Sequence, residues 1–184
     1  MEITSNEYYE KQKINRFFTI LIVIFAGIVP IASYIFSYYL VFSNFKTTVF
    51  SKDTYMFYLS GLVVFLLSFF VVYLFLNLKL ELKISKDGIY FRLFPFHRKF
   101  RFIPYSDIRY YTIRRFRPIM EYGGWGIRYS AKRNGIAYTL SGHFGLQLEL
   151  NSYKRLMIGV KSPEAVLFSL KSFIPNKHIE NKSE

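Results

Sequence analysis

Two stretches of the chain, Phe17–Phe42 and Tyr55–Leu78, run without one charged side chain, and beyond them the pattern changes to short alternating segments. A hydrocarbon core about 30 Å thick takes roughly 20 helical residues to cross. Each stretch therefore predicts a transmembrane helix with room for tilt. The first follows Lys11, Lys13 and Arg16 as a signal peptide follows its basic start. It is too long for a signal-peptide core, and no small-x-small cleavage site comes after it. The connection Ser43–Thr54 is too short for a domain, so the two helices are expected to form an antiparallel hairpin. Pro30 removes a helical hydrogen bond and predicts a kink in the first helix. The small residues Ala26, Ser33 and Ser37 on the first helix, with Gly61 and Ser68 on the second, are candidates for the seam.

From Lys79 the period becomes two. Lys79–Ser85 places Leu80, Leu82 and Ile84 on one face. Lys86-Asp87-Gly88 is a hairpin turn, and Ile89–Phe94 returns with Ile89, Phe91 and Leu93 inward. Further strands are expected over Arg98–Ile103, Ile108–Phe116, Gly124–Ser130, Ile136–Ser141, Leu146–Leu150 and Arg155–Val160. Arg117–Glu121 reads as a connection, and Asn134-Gly135 as a two-residue hairpin turn. Ser162 is a good N-cap, Pro163 suits the first helical position and Glu164 the first turn. Val166, Leu170, Phe173 and Ile174 then form one apolar stripe before Pro175. The expected organisation is an N-terminal cytoplasmic segment (1–16), transmembrane helix 1 (17–42), an external loop (43–54) and transmembrane helix 2 (55–78). A β domain closed by a helix (79–175) and a polar, frayed tail (176–184) complete it.

Charge sets the expected orientation. Seven basic residues flank the hairpin on one side (Lys11, Lys13, Arg16, Lys79, Lys83, Lys86 and Arg92), against Lys46 and Lys52 in the loop. The bias predicts a multi-pass protein of the cytoplasmic membrane with both termini in the cytoplasm. The net charge of the 184 residues is +13, and residues 79–184 carry +12 of it. A domain that basic is attracted to an anionic leaflet, each nearby Lys or Arg contributing about 1 kcal/mol. The same charges also enforce topology. Candidate contacts with such a surface are Arg98, Lys99 and Arg101 in one cluster and Arg114, Arg115 and Arg117 in another. Both are interleaved with aromatic residues, and Arg128, Lys132 and Arg133 are possible extensions. A protein held at a membrane has little use for general nucleic-acid affinity, so no nucleic-acid partner is expected.

The chain has no cysteine, which excludes disulfides, thiolate metal sites and a cysteine nucleophile. His97, His143 and His178 stand in no ligand spacing, and Ser141-Gly142-His143 lacks the nucleophile elbow. With no paired carboxylates and no phosphate loop, the residues predict no enzyme, no catalytic or metal-binding residues and no cofactor. Gly123-Gly124-Trp125-Gly126 is either a bulge with an aromatic packed on bare backbone or a contact site.

The order of short strands followed by one capping helix resembles the pleckstrin-homology (PH) fold. Gly123-Gly124-Trp125-Gly126-Ile127-Arg128, Gly145-Leu146-Gln147-Leu148-Glu149-Leu150 and Lys154–Gly159 with Ser162-Pro163-Glu164 resemble a family of small bacterial membrane proteins. In that family a two-helix hairpin precedes a bacterial PH-like domain. The resemblance implies a membrane α plus soluble β architecture: a transmembrane hairpin followed by a PH-like β-sandwich or partly open barrel of about seven strands with a C-terminal capping helix. It implies no catalytic residues. The first hairpin loop, Ser85–Gly88, offers one Lys and one Asp, which is poor for a phosphoinositide site carried over from the fold. The expected function is a non-enzymatic docking module at the inner leaflet, for anionic lipid headgroups or a protein partner. The alternatives are an interaction scaffold or accessory subunit, self-associating or not, and then a membrane-bound enzyme.

Overall fold

The computed structural model describes residues 7–44, 52–130 and 134–179, so most of the expected external loop, with Lys46, lies outside it, as do Lys132 and Arg133. The chain divides into a helical unit, Ile14–Asn77, and a β unit made of the residues on either side of it.

In the helical unit, α1 (Arg16–Ile22) continues through a π-helical stretch, Val23–Ile28, into α2 (Val29–Asn44); α3 (Lys52–Leu76) follows. Arg16–Tyr39 and Tyr55–Leu76 are both long and apolar enough to cross a membrane. The wide π turn sits just ahead of Pro30. Proline cannot bond to the carbonyl of Ala26, and its ring would crowd that carbonyl in a regular α-helix; the π turn opens the space. The seam differs from the small-residue expectation. Ser33 and Ser37 are exposed, and each hydroxyl donates back to its own helix, to Pro30 O at 2.8 Å and Ser33 O at 2.9 Å. The contact is aromatic instead. Tyr34 stacks on Phe57 at 4.8 Å, donates to Phe57 O and lies over Gly61, whose missing side chain makes room for the ring. Ser68 is buried, as the seam reading requires.

Nine strands make the β unit among the described residues, in two sheets rather than a closed barrel. The four-stranded sheet has the order β1 (Tyr8–Lys13), β2 (Lys79–Ser85), β3 (Gly88–Phe94), β4 (Arg101–Pro104). The five-stranded sheet comprises β5 (Ile108–Arg115), β6 (Gly126–Tyr129), β7 (Ile136–Thr139), β8 (Phe144–Leu150) and β9 (Arg155–Val160). Its order is β5-β8-β9-β7-β6, and β7 and β9 run parallel. Leu80, Leu82, Ile84, Ile89 and Leu93 of the first sheet and Ile108, Leu146, Leu148 and Ile158 of the second are fully buried. Helix α5 (Pro163–Phe173) packs on β1, β2 and β8 through Val166 and Leu170.

Strand β1 departs most from expectation: it comes from the segment read as a plain cytoplasmic lead. It pairs antiparallel with β2 from Tyr8↔Ile84 to Lys13↔Lys79. Its buried positions are Glu10 and Gln12, so it shows no apolar alternation. Gln12 Nε2 donates to Gly159 O of β9 at 2.8 Å, joining the two sheets. The Glu10 carboxylate accepts from Lys161 N at 2.8 and 3.1 Å and from Ser162 N at 3.3 Å, immediately ahead of α5. Ser162, expected as the N-cap, makes no side-chain cap bond, and the Glu10 bonds fix the backbone just ahead of the helix instead. A carboxylate there also faces the positive end of the helix.

Two other expectations are corrected. Pro118–Tyr122, read as part of a connection, is a short helix, α4. Pro118 opens it and Gly123, in the left-handed region at φ 71°, closes it. Its Tyr122 joins Phe116, Ala137 and Met157 in a small second core on the outer face of the five-stranded sheet. Of the tail expected to be frayed (176–184), residues 176–179 are described, and they are held in place. Lys177 Nζ donates to Tyr105 O at 2.8 Å and Ile108 O at 2.6 Å, and Ile179 N to Tyr111 O at 3.0 Å. The edge of β5 is thereby covered.

Because Lys13 and Lys79 close the β1–β2 ladder, Ile14 can be joined to Leu78 through Asn-Gly, a two-residue hairpin connection. That hairpin-deleted chain is expected to fold as a soluble monomer with cooperative unfolding, whereas residues 79–184 alone aggregate; gel filtration and urea unfolding distinguish them. Within the joined domain, Glu10→Ala removes the acceptor shared by the Lys161 and Ser162 N–H groups and is expected to cost about 1–2 kcal/mol in the same unfolding measurement.

Candidate anionic-surface contacts and a polar cleft

The first basic cluster lies in the turn between β3 and β4. His97 N donates to Leu93 O at 2.8 Å, which folds the turn back on itself. Arg98 and Lys99 are exposed on it. Arg101, at the start of β4, is exposed but engaged: its Nη1 donates to the Tyr138 hydroxyl at 2.7 Å, and its guanidinium lies 5.5 Å from that ring. Burial, and then the charge of Arg101, lowers the pKa of His97. Burial raises that of Tyr138 against the pull of Arg101.

The second cluster lies at the end of β5. Arg114 pairs with Glu121 of α4 at 2.7 Å and reaches Gln147 Oε1 at 3.3 Å. Arg115 and Arg117 are exposed, and Arg117 N donates to Glu121 Oε1 at 2.7 Å. Burial opposes ionisation of Glu121, but the Arg114 hydrogen bond and the Arg117 N–H outweigh it and hold its carboxyl below the usual range. Of the six residues, then, Arg98, Lys99, Arg115 and Arg117 present charge to solvent, Arg101 is exposed while bonded to Tyr138, and Arg114 is drawn into its pair with Glu121. The clusters belong to different sheets.

Gly123, Gly124 and Gly126 take φ values of 71°, 124° and 109°, a region L side chains avoid, so the chain turns from α4 into β6 on glycine. Trp125 Nε1 donates to Gly142 O at 3.2 Å, and its ring meets His143. No group of three metal-ligating side chains occurs among the described residues.

Beside α4, on the outer face of the five-stranded sheet, lies an open cleft of about 410 Å³. Its charges balance: Arg114 is paired with Glu121, and Arg155 with Glu149 at 3.1 Å. Two buried hydroxyls along β5, Tyr111 OH and Thr112 Oγ1, have no hydrogen-bond partner among the described residues.

Sequence reasoning missed a third basic surface, because it depends on register. The outward rows of the four-stranded sheet are Tyr9–Lys83–Tyr90–Phe102, Lys11–Glu81–Arg92 and Lys13–Lys79–Phe94. Five cations on this face meet two carboxylates: Glu81, which takes Lys11 at 3.8 Å and a closer pair with Arg92, and Glu7, which takes Lys83 at 3.9 Å. Arg92 also lies 4.4 Å over Phe100, and Lys79 5.9 Å from the Phe94 ring. Among the described residues Lys13 and Lys79 make no ion pair. The sequence signal was the polar register of Tyr8–Lys13 opposite Lys79–Ser85, legible only once that segment is taken as a strand.

No protein-family model, curated protein or solved structure matches this chain.

Tyr111 gives a test of the core around β5. Burial pushes its phenol up to about 12 from the ordinary 10.0, so the neutral form is favoured in the folded state. That contribution is complete below pH 10 and is lost as pH rises through about 12. Tyr111→Phe is expected to delete one tyrosine step near pH 12 in an ultraviolet titration, leaving the later ionisation of Tyr8 and Tyr105 in place. Because the hydroxyl is unpartnered, stability at neutral pH should stay level or rise by about 1 kcal/mol.

Proposed function

We propose that the chain is a non-enzymatic integral protein of the cytoplasmic membrane. Its two apolar helices cross the bilayer, both termini lie in the cytoplasm, and its basic β domain is a docking module at the inner leaflet. The observation that carries this reading is the β1–β2 ladder, because strands from before and after the helices share one sheet. A sheet cannot be divided by a bilayer, so the ends of the helical segment stay on one side, as two crossings require. The excess of Lys and Arg flanking the hairpin assigns that side to the cytoplasm. The two-sheet arrangement with the C-terminal helix α5 supports a PH-like sandwich. Strand β1 extends that plan, and the parallel β7–β9 pair departs from a simple meander.

The docking target favoured by charge is anionic lipid. A protein partner, in the manner of an accessory subunit, is favoured by Ile119 and Met120 on α4. Each is 68% exposed, beside Arg115 and Arg117. The hairpin-deleted domain should float with phosphatidylglycerol-containing liposomes at low salt and detach at high salt, with little binding to phosphatidylcholine alone. Binding indifferent to both lipid charge and salt removes the leaflet as its target and leaves the protein partner.

A further inference from the structure

Register and chain length together single out one end of the four-stranded sheet. Lys13 is the last residue of β1 and Lys79 the first of β2, and they are direct partners. Arg16 opens α1 and Leu76 closes α3, so each lysine is three residues from a helix end. Three residues reach at most about 10 Å. Headgroup layers occupy about 5–8 Å on each side of a hydrocarbon core. On the proposed topology, with the helix ends at the edge of the hydrocarbon core, that reach brings both lysines to the level of the phosphates.

The next residue across the ladder is Phe94, the partner of Lys79. Directly beyond it the chain makes the turn Pro95–Phe100, closed by the bond from His97 N to Leu93 O. This turn lies at the same end of the sheet as Lys13 and Lys79. Phe96, within it, is 62% exposed, and Phe100 is 39% exposed under the Arg92 guanidinium. Arg98 and Lys99 are exposed between them. An apolar ring next to unpaired cations at one sheet end is poor design for water alone. It suits an interface where rings meet acyl chains and ammonium or guanidinium groups meet phosphates.

We propose that this end of the sheet is an anionic phospholipid site: Lys13, Lys79, Arg98 and Lys99 hold headgroup phosphates while Phe96 enters the interface. The site rests on the leaflet-docking reading and gives it an orientation. It fixes which edge of the domain faces the lipid and turns the two covalent attachments of the domain into a three-point seat. It leaves Arg115 and Arg117, on the other sheet, for other partners.

The chain has no cysteine, so one introduced residue gives a unique label. Phe96→Cys and, on the edge strand β6, Tyr129→Cys (Tyr129 is 77% exposed) are labelled with an environment-sensitive fluorophore. The full-length protein is then placed in vesicles of phosphatidylcholine with or without phosphatidylglycerol. Quenching is read with a headgroup-nitroxide lipid. The label at 96 is expected to be quenched severalfold more than that at 129, and more so with phosphatidylglycerol. Arg98→Glu with Lys99→Glu should lower the seated-to-lifted ratio by roughly tenfold or more, since two attractions are reversed. Quenching at 129 that equals or exceeds that at 96 means the domain meets the leaflet by another face; this site is then wrong and the docking reading stands. Quenching at neither position overturns both. Quenching at 96 unaffected by the charge reversal overturns the phosphate contacts.

Discussion

One antiparallel ladder, β1 against β2, organises the molecule. Its residues lie on opposite sides of the helical segment in sequence, so every hydrogen bond in it closes a long loop. Closing such a loop costs entropy that grows only slowly with length. The return is threefold. The ladder covers the edge of β2 that would otherwise stand open. It carries Gln12 to β9, and it delivers Glu10 to the backbone ahead of α5. Those last two contacts are what fasten the four-stranded sheet to the five-stranded sheet and its helix from the β1 side. A buried carboxylate is tolerated there because its oxygens meet N–H donors; the same group without them would be expensive.

The legible parts of the fold were those whose burial is apolar and periodic. Lys79–Ser85, Ile89–Phe94, Leu146–Leu150 and Arg155–Val160 alternate or run apolar, and each lies in a strand of the structure, the third beginning two residues earlier at Phe144. The two helices declare themselves by length without charge. What stayed hidden has a physical reason in each case. Tyr8–Lys13 turns Glu10 and Gln12 inward, so its buried face looks polar. The helix Pro118–Tyr122 is too short to show a period, and only its Pro start and Gly stop mark it. The hairpin seam keeps Gly61 and Ser68 from the predicted set, while the rings of Tyr34, Tyr38 and Phe57 meet where Ser33 and Ser37 turn out to be exposed.

The candidate surfaces were legible as charge and illegible as geometry. A run such as Arg114-Arg115-Phe116-Arg117 reads as one patch, yet alternation sends Arg114 to Glu121 and Phe116 into the small core under α4. In the same way Arg101 faces Tyr138 while Arg98 and Lys99 face solvent. Clusters in sequence were thinned by the pleat, whereas Lys13 and Lys79, far apart in sequence, were brought side by side by register. Surface charge in a β protein is set by pairing, and pairing is the part of the fold that one sequence specifies least directly.

The position of β1 ahead of both apolar helices, with its partner β2 behind them, has a consequence for biosynthesis. It emerges from the ribosome well before its partner and has nothing to pair with until both hydrophobic segments have been threaded. On the proposed topology, a nascent chain that lodged only one of them would strand β1 and β2 in different compartments, and the domain could never be completed. On that topology, folding of the β unit acts as a readout of correct insertion: only molecules whose hairpin has turned around can bury Glu10, and the rest present an unfinished sheet to the proteases of the cell.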